Sequence, residues 1–292
     1  MSADLHMHTT ASDGSDSVDQ RVSQADENNL EVIALTDHDA INSVLSERFY
    51  VDEETGVTVI TGAEIKCEVQ DTGIEVLSYF LDPESERIQN LLETNSELRD
   101  QRIRNIIGNL NEEIHYNLTE EEVFEYVEGN PGRPHIAKAL AEAEDVEDVG
   151  VEDDAFDKYI GEDCPAYIPT PKQDAEKVIN TVLEEGGVPV LAHPGRDLEK
   201  TGAEELVGEL VDYGLQGIEV MYSWDHKREN GYDINFGQEY SQELAEKYGL
   251  IQTGGSDCHG SETDKYLIGS VKLPISHVEE LAEKADVSFS PI

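Results

Sequence analysis

Short apolar, β-branched runs recur along the chain and alternate with segments whose apolar positions repeat at helical spacing. This is the pattern of a parallel α/β protein. Strands are predicted over 3–7, 32–35, 57–61, 75–79, 188–192, 217–221 and 250–253, with a further run over 267–273 closing the sheet. Helices are expected over 18–28, 175–185, 204–212 and 238–248. Ser17 or Asp16 is suited to cap the first of these, and Asp174 stands at the start of the second.

From about Pro83 to Gly161 the period changes. Leu91, Leu92, Leu98, Ile103, Ile106, Ile107 and Leu110 fall near helical spacing, residues 120–128 and 135–143 read as helix, and Asn130-Pro131-Gly132 is a break. The expected organisation is an α/β domain over 1–83 and 162–292, interrupted by an all-helical insertion over 84–161.

Composition changes the picture at the surface. The 292 residues hold 65 Asp+Glu against 20 Lys+Arg, a net charge of −45. The apolar share is ordinary once glycine is counted, so a normal interior carries an acidic exterior. Such a balance excludes a broad nucleic-acid-binding face, which needs a basic patch. Its self-repulsion is relieved by salt, and the composition resembles that of proteins from salt-accumulating cells. No apolar run reaches the length of a membrane span, and the start MSADLHMHTT lacks the features of a signal peptide. Cys67, Cys164 and Cys258 form no paired spacing, which excludes a disulfide framework or a CxxC zinc site and fits a reducing cytoplasm.

The chemistry collects at strand ends. Asp4-Leu5-His6-Met7-His8, Thr36-Asp37-His38-Asp39, Gly62-Ala63-Glu64, Ala192-His193-Pro194-Gly195 and Gly254-Gly255-Ser256-Asp257-Cys258-His259 each end or follow a predicted strand, whereas Glu75 begins one. In a closed parallel barrel the carboxyl-terminal strand ends converge on one face. Alternation points His6 with His8, and Asp257 with His259. Imidazoles and carboxylates gathered there are costly to desolvate without cations, and mixed nitrogen and oxygen donors suit zinc, manganese or iron. Five of the nine histidines share this placement, which points to a multinuclear metal site. Cys258, facing the other way, is expected to pack. His115, His226 and His277 lie outside the pattern.

These segments, in this order over essentially the whole chain, resemble the polymerase-and-histidinol-phosphatase (PHP) family. The resemblance implies a distorted (β/α)7 barrel holding up to three divalent metals, manganese first, with zinc, iron or magnesium as alternatives. Gly132-Arg133-Pro134-His135-Ile136-Ala137, Ala155-Phe156-Asp157-Lys158-Tyr159-Ile160 and Pro165-Ala166-Tyr167-Ile168-Pro169 are similar to the 3′,5′-nucleotide phosphatase subgroup, whose relatives include 5′→3′ exoribonucleases. Carried over by position, His6, His8 and Asp257 ligate one metal, and Asp13, His38 and His259 a second. Glu64 bridges toward a third, which His193 helps to bind. Glu75 stands where the family pattern has histidine, and a carboxylate there either ligates or weakens the third site. Asp37 and Asp39 are expected to orient His38 or to shape the turn.

Arg99 and Arg102, three apart on one helix face, are able to form an anion clamp or to pair with neighbouring acids. The resemblance favours the clamp and adds Pro134, His135 and His259 as substrate contacts, with His135 and His259 in catalysis. His135 either binds phosphate or protonates the leaving group. The implied activity is hydrolysis of the 3′-phosphate of nucleoside 3′,5′-bisphosphates by metal-activated water, with 5′→3′ exonuclease action on short oligonucleotides as an extension. Other phosphomonoesters, such as histidinol phosphate, and a non-catalytic metal-binding module are the alternatives. The expected partner is a small phosphorylated nucleotide or short oligonucleotide.

Overall fold

A computed structural model describes residues 2–114, 117–127, 132–143, 149–169, 171–229, 231, 233–263 and 265–289. His115, Glu128, Asn130 and Pro131 of the sequence analysis lie outside the described residues. By their contacts the residues divide into two compact units, Met1–Glu93 with Gln173–Ile292, and Thr94–Lys172.

The first unit is built on one sheet. Its strands are β1 Ser2–Met7, β2 Val32–Leu35, β3 Phe49–Val51, β4 Thr58–Val69, β5 Thr72–Tyr79, β6 Gln173–Asp174, β7 Val188–Leu191, β8 Gly217–Tyr222, β9 Ile251–Gly255 and β10 Leu273–Pro274. The order is β10-β1-β2-β4-β5-β7-β8-β9, with β3 and β6 also paired to β4. The residues after β9 close the ring against β1: Asp257 N donates to His6 O at 2.9 Å, and His8 N to Cys258 O at 3.0 Å. Closure brings the backbones so near that a Cβ on Gly255 would stand 2.2 Å from His6 Cβ. Only glycine fits that approach.

The fold is therefore the α/β barrel that the resemblance implies, with two corrections to the predicted strands. The strand holding Glu75 is not parallel: β5 runs antiparallel to both β4 and β7. Gln70 and Asp71, both at positive φ, make a two-residue hairpin turn from β4 into β5. Because β5 is reversed, its early residue Glu75 reaches the rim where the parallel strands end. The run over 267–273 is strand only at Leu273–Pro274, antiparallel to β1. A turn in which Ser270 N donates to Leu267 O, with Gly269 at φ +79°, interrupts the extension.

The helices are α1 Val18–Glu27, α2 Glu86–Glu113, α3 Glu120–Phe124, α4 Arg133–Glu142, α5 Glu152–Ala155, α6 Ala175–Glu184, α7 Pro194–Asp197, α8 Lys200–Tyr213, α9 Trp224–Glu229, α10 Gln238–Tyr248 and α11 Ile275–Lys284. Ser17 caps α1 in a reciprocal box with Gln20, and Asp174 caps α6 through Lys177 N. Alternation in β2 separates two apolar clusters. Ile33 and Leu35 pack with Val18, Val22 and Ala25 of α1, while Val32 and Ala34 pack with Leu5, Ile60, Leu77 and Val190 on the other face.

The second unit has its own core, in which Ile103, Ile106, Ile107 and Leu110 of α2 meet Leu118, Val123, Ile136, Ala137 and Leu140. Its limits are 94 and 172 rather than 84 and 161. Ile88, Leu91 and Leu92 at the start of α2 pack into the barrel unit's core, and Ala166 and Ile168 into that of the helical unit. The insertion is several helices, and the segment expected as helix over 120–128 is helical only over Glu120–Phe124 among the described residues. Among the described residues no helix is long and apolar enough to cross a membrane.

Candidate metal centre

The site lies where strands leave the barrel. His6 sits at the end of β1 and His8 just beyond it; His38 follows β2, His193 follows β7, and Asp257 and His259 follow β9. Glu64 lies within the long β4 at the point where its partner changes from β2 to β5. Backbone bonds from Asp39 N to Glu64 O (2.9 Å) and Glu64 N to Asp37 O (3.0 Å) tie it to the His38 turn.

Glu64 is the hub. Its Oε1 lies 2.9 Å from His193 Nε2 and 3.4 Å from His6 Nε2, and its Oε2 lies 2.9 Å from His38 Nδ1 and 3.4 Å from His8 Nε2. Asp257 Oδ1 stands 3.2 Å from His8 Nε2 and 3.7 Å from His6 Nε2. On the other flank, Asp13 Oδ2 is 3.4 Å from His259 Nε2 and 3.8 Å from His38 Nε2. Two donor sets result, His6–His8–Asp257 and His8–Asp13–His38–His259, while His6–Glu64–His193, His38–Glu64–Glu75 and Glu75–His193–Asp197 form further groups. All nine side chains predicted as ligands are thus in one neighbourhood.

These residues fit metal ions on the structure's own terms. His6 Nε2, both ring nitrogens of His8 and Glu64 Oε2 are buried and make no hydrogen bond among the described residues. Leaving such atoms unsatisfied is costly unless something else binds them. Burial, and then the facing His259 and His38, push the His8 imidazole down to about 3, so it presents neutral lone pairs. Against the penalty of burial, His38 and His6 pull the Glu64 carboxyl well below its ordinary value.

Several participants escaped the sequence analysis. Glu219, in the middle of β8, accepts from or bonds to His6 Nδ1 at 3.1 Å and accepts from His193 N at 2.8 Å. With Nδ1 engaged, His6 turns Nε2 toward Glu64 and Asp257. Tyr222 and the buried Lys227 both donate to Asp257 Oδ2 at 2.7 Å, leaving Oδ1 for the cluster. Asp257 itself sits at φ +55°, a strained conformation for a non-glycine residue. Glu219 had a signal, a lone acid within the apolar run Gly217–Met221; Lys227 had none.

Asp37 accepts from Thr9 N, Thr9 Oγ1 and Ser12 Oγ, so it braces the loop after β1 rather than His38, and Asp39 is a turn residue at φ +48° that accepts from Lys66 N. Cys258 is buried in the cluster with Met7 and Ile33, and Arg21 donates to its sulfur. All three cysteines are free. His226 is half-buried on α9.

The predicted anion-binding residues lie in the helical unit. Arg102 is buried, its Nε donates to Ile168 O at 2.7 Å, and its guanidinium lies 5.9 Å from the Tyr167 ring centre. Arg133 lies 5.2 Å from the same ring and donates to Ile160 O. Burial, followed by Arg133 and with Arg99 contributing, lowers Arg102 from its ordinary value. His135 Nδ1 accepts from Gly132 N at 2.9 Å at the start of α4, beside Pro134. Arg104 instead pairs with Asp100 and Glu120, and Arg196 of the barrel unit pairs with Glu75 and Asp197.

The PHP domain model matches residues 4–183, more than half of the chain. A 5′-3′ exoribonuclease of Haemophilus influenzae is 29% identical over 74% of this chain and 78% of its own. A 3′,5′-nucleoside bisphosphate phosphatase of Chromobacterium violaceum is 26% identical over 95% and 92%. A phosphoribosyl 1,2-cyclic phosphate 1,2-diphosphodiesterase of Eggerthella lenta is 30% identical over 89% and 95%. Among solved structures, a Bifidobacterium adolescentis chain assigned as a metal-dependent phosphoesterase superimposes with a TM-score of 0.74 at 28% identity, covering 97% of this chain and 96% of that one. The strand-end histidines, the barrel that gathers them and these matches agree: the chain belongs to the PHP domain family.

Proposed function

We propose that the chain is a metal-dependent phosphoesterase that hydrolyses the 3′-phosphate of nucleoside 3′,5′-bisphosphates. The observation that carries this reading is the meeting of His6, His8, His38 and His193 on the one carboxylate of Glu64. Similarity to a bisphosphate phosphatase over nearly the whole chain supports the substrate.

His6, His8 and Asp257 would hold one ion and Asp13, His38 and His259 a second, and Glu64 would contribute to both. Divalent cations there, manganese first and zinc, iron or magnesium as alternatives, supply Lewis-acid charge to a phosphoryl group and acidify the attacking water. The chain's own groups do the rest. Glu219 fixes the His6 ring, and Tyr222 with Lys227 aims Asp257. Arg99 and Arg102 recognise the phosphate that is not cleaved, where a planar guanidinium binds two oxygens at once. Pro134, His135 and His259 contact substrate, and His135 either holds phosphate or protonates the leaving oxygen. Binding energy taken from the remote phosphate improves positioning at the reacting one. The acidic surface suits the salt-rich cytoplasm of a salt-accumulating cell, and small nucleotides rather than long nucleic acids are its partners.

The test is phosphate release by the purified chain in molar salt with Mn²⁺. The panel holds a nucleoside 3′,5′-bisphosphate, the matching monophosphates, histidinol phosphate, a 1,2-cyclic phosphate and a short 5′-phosphorylated oligonucleotide. Preferred turnover of the bisphosphate is the expected result. Preference for the oligonucleotide would favour the exonuclease reading that the Haemophilus relative supports. No turnover of any of them by metal-loaded protein would remove the assignment.

A further inference from the structure

Glu75 faces the cluster, but its two oxygens are already claimed. The antiparallel register sets Lys66 of β4 directly opposite Glu75 of β5, and Lys66 Nζ lies 3.2 Å from Glu75 Oε1. Arg196, in the turn of α7 that follows His193, pairs with Oε2 and anchors its Nε 3.0 Å from Asp197 Oδ1. Asp197 in turn stands 3.2 Å from His193 Nδ1.

Other cationic side chains near the ligands leave the carboxylate donors usable. Lys227 takes only Oδ2 of Asp257, so Oδ1 still faces His6 and His8. Lys265 lies 3.3 Å from His259 Nε2 and, among the described residues, pairs with no carboxylate. Donor arithmetic then decides the matter. Each ring nitrogen serves one ion, and His6 Nδ1 is committed to Glu219. Once His6, His8 and Asp257 hold one ion and Asp13, His38 and His259 another, a third has His193 Nε2, a shared oxygen of Glu64, and Glu75, because Asp197 stands against the other ring nitrogen of His193 and pairs with Arg196. Without Glu75 two protein donors remain, fewer than the three that a catalytic metal site commonly has. With it, a divalent ion would stand beside an ammonium and a guanidinium that already pair with the same carboxylate, and the like charges repel.

We propose that the centre of this chain is binuclear, and that Lys66 and Arg196, paired with Glu75, take the position of a third cation. The inference rests on the metal-centre reading above and concerns how many ions that centre holds. It departs from the expectation of up to three.

The experiment counts metal. Protein equilibrated with Mn²⁺ in molar salt, freed of excess ion, is analysed by plasma mass spectrometry, with circular dichroism to confirm folding. Wild type should retain about two ions per chain. Glu75→Gln should retain the same number, and the double variant Lys66→Met with Arg196→Met should rise to about three. Three ions in the wild type, one of them lost on Glu75→Gln, would overturn the proposal. So would two ions in both the wild type and the folded double variant, since the cations would then close nothing. A wild type that holds no ion would instead bring down the metal centre itself, a distinct failure.

Discussion

The two units bury opposite things. In the barrel unit His6, His8, Glu64, His193, Glu219 and Asp257 are almost wholly withdrawn from water, yet they stand against one another and not against apolar neighbours. The helical unit buries an aliphatic core, and its cationic residues lie at the edge against rings, as Arg133 does over Phe156 and Tyr167. A buried polar cluster is tolerated only when every member is satisfied, so the barrel's cluster is one interdependent object that implies ions. In the helical unit an exposed cation such as Arg104, paired with Asp100 and Glu120, can change without cost to the core, whereas the buried Arg102 holds Ile168 O. On the function proposed above, chemistry is built where substitutions are punished together, and selectivity where most of them act singly.

That contrast is broken most directly at its strongest point. His8→Ala removes a neutral imidazole placed between both donor sets, and phosphoesterase turnover should fall by roughly 10³-fold or more, the scale of losing several kcal/mol of transition-state charge stabilisation. Metal content measured on the same sample should drop with it. Full activity with unchanged metal content would show that the cluster is not the catalytic centre.

The helical unit offers the complementary test. Ile106→Ala, at a wholly buried position on α2, should destabilise that unit by about 2–5 kcal/mol through lost burial and the cavity left behind. Hydrogen exchange resolved by segment should show the loss over residues 94–172. An equal loss of protection over β1 and β9 would mean that the two units unfold as one.

How much of this was legible in the sequence depended on period and on distance. His6 and His8 could be placed because alternation and a short apolar run are local signals, and Asp257 and His259 for the same reason. The reversed direction of β5 was hidden, although Glu75 at the beginning of its run, where every other candidate ended, was its trace. The hairpin residues Gln70 and Asp71 carry no Asn-Gly or Gly-rich signature, so left-handed backbone there was unreadable. Strands as short as β6 and β10 fall below any periodicity. Lys227 reaches Asp257 across 30 positions of sequence, and only folding brings it there. Lys66 opposite Glu75 needed the register, which follows from the turn.

Glu219 sharpens the comparison at intermediate size. Glu219→Gln keeps an oxygen for His193 N but weakens the grip on His6 Nδ1, and substitutions of groups that orient metal-bound imidazoles typically cost 10–100-fold in affinity. Titration with Mn²⁺ should show a loss in that range while the fold, followed by circular dichroism, stays intact. Unchanged affinity would make Glu219 a packing residue for β8 alone.

The smallest effect should come from the helical unit's surface cations. Arg99 is half-buried on α2, three residues before Arg102. Arg102 also holds Ile168 O, so its removal mixes recognition with local structure, and Arg99 is the cleaner probe. Losing one guanidinium contact to a phosphate should raise KM for a 3′,5′-bisphosphate about tenfold, near 1.4 kcal/mol. Turnover of a nucleoside 3′-monophosphate, which lacks the second phosphate, should hardly change. Arg99→Lys should recover only part of the loss, since an ammonium cannot make the paired contact. The ratio of the two substrates' kcat/KM values separates recognition from damage. If Arg99→Gln lowers both equally, Arg99 supports the fold of its helix, and selection between phosphates lies elsewhere in the chain.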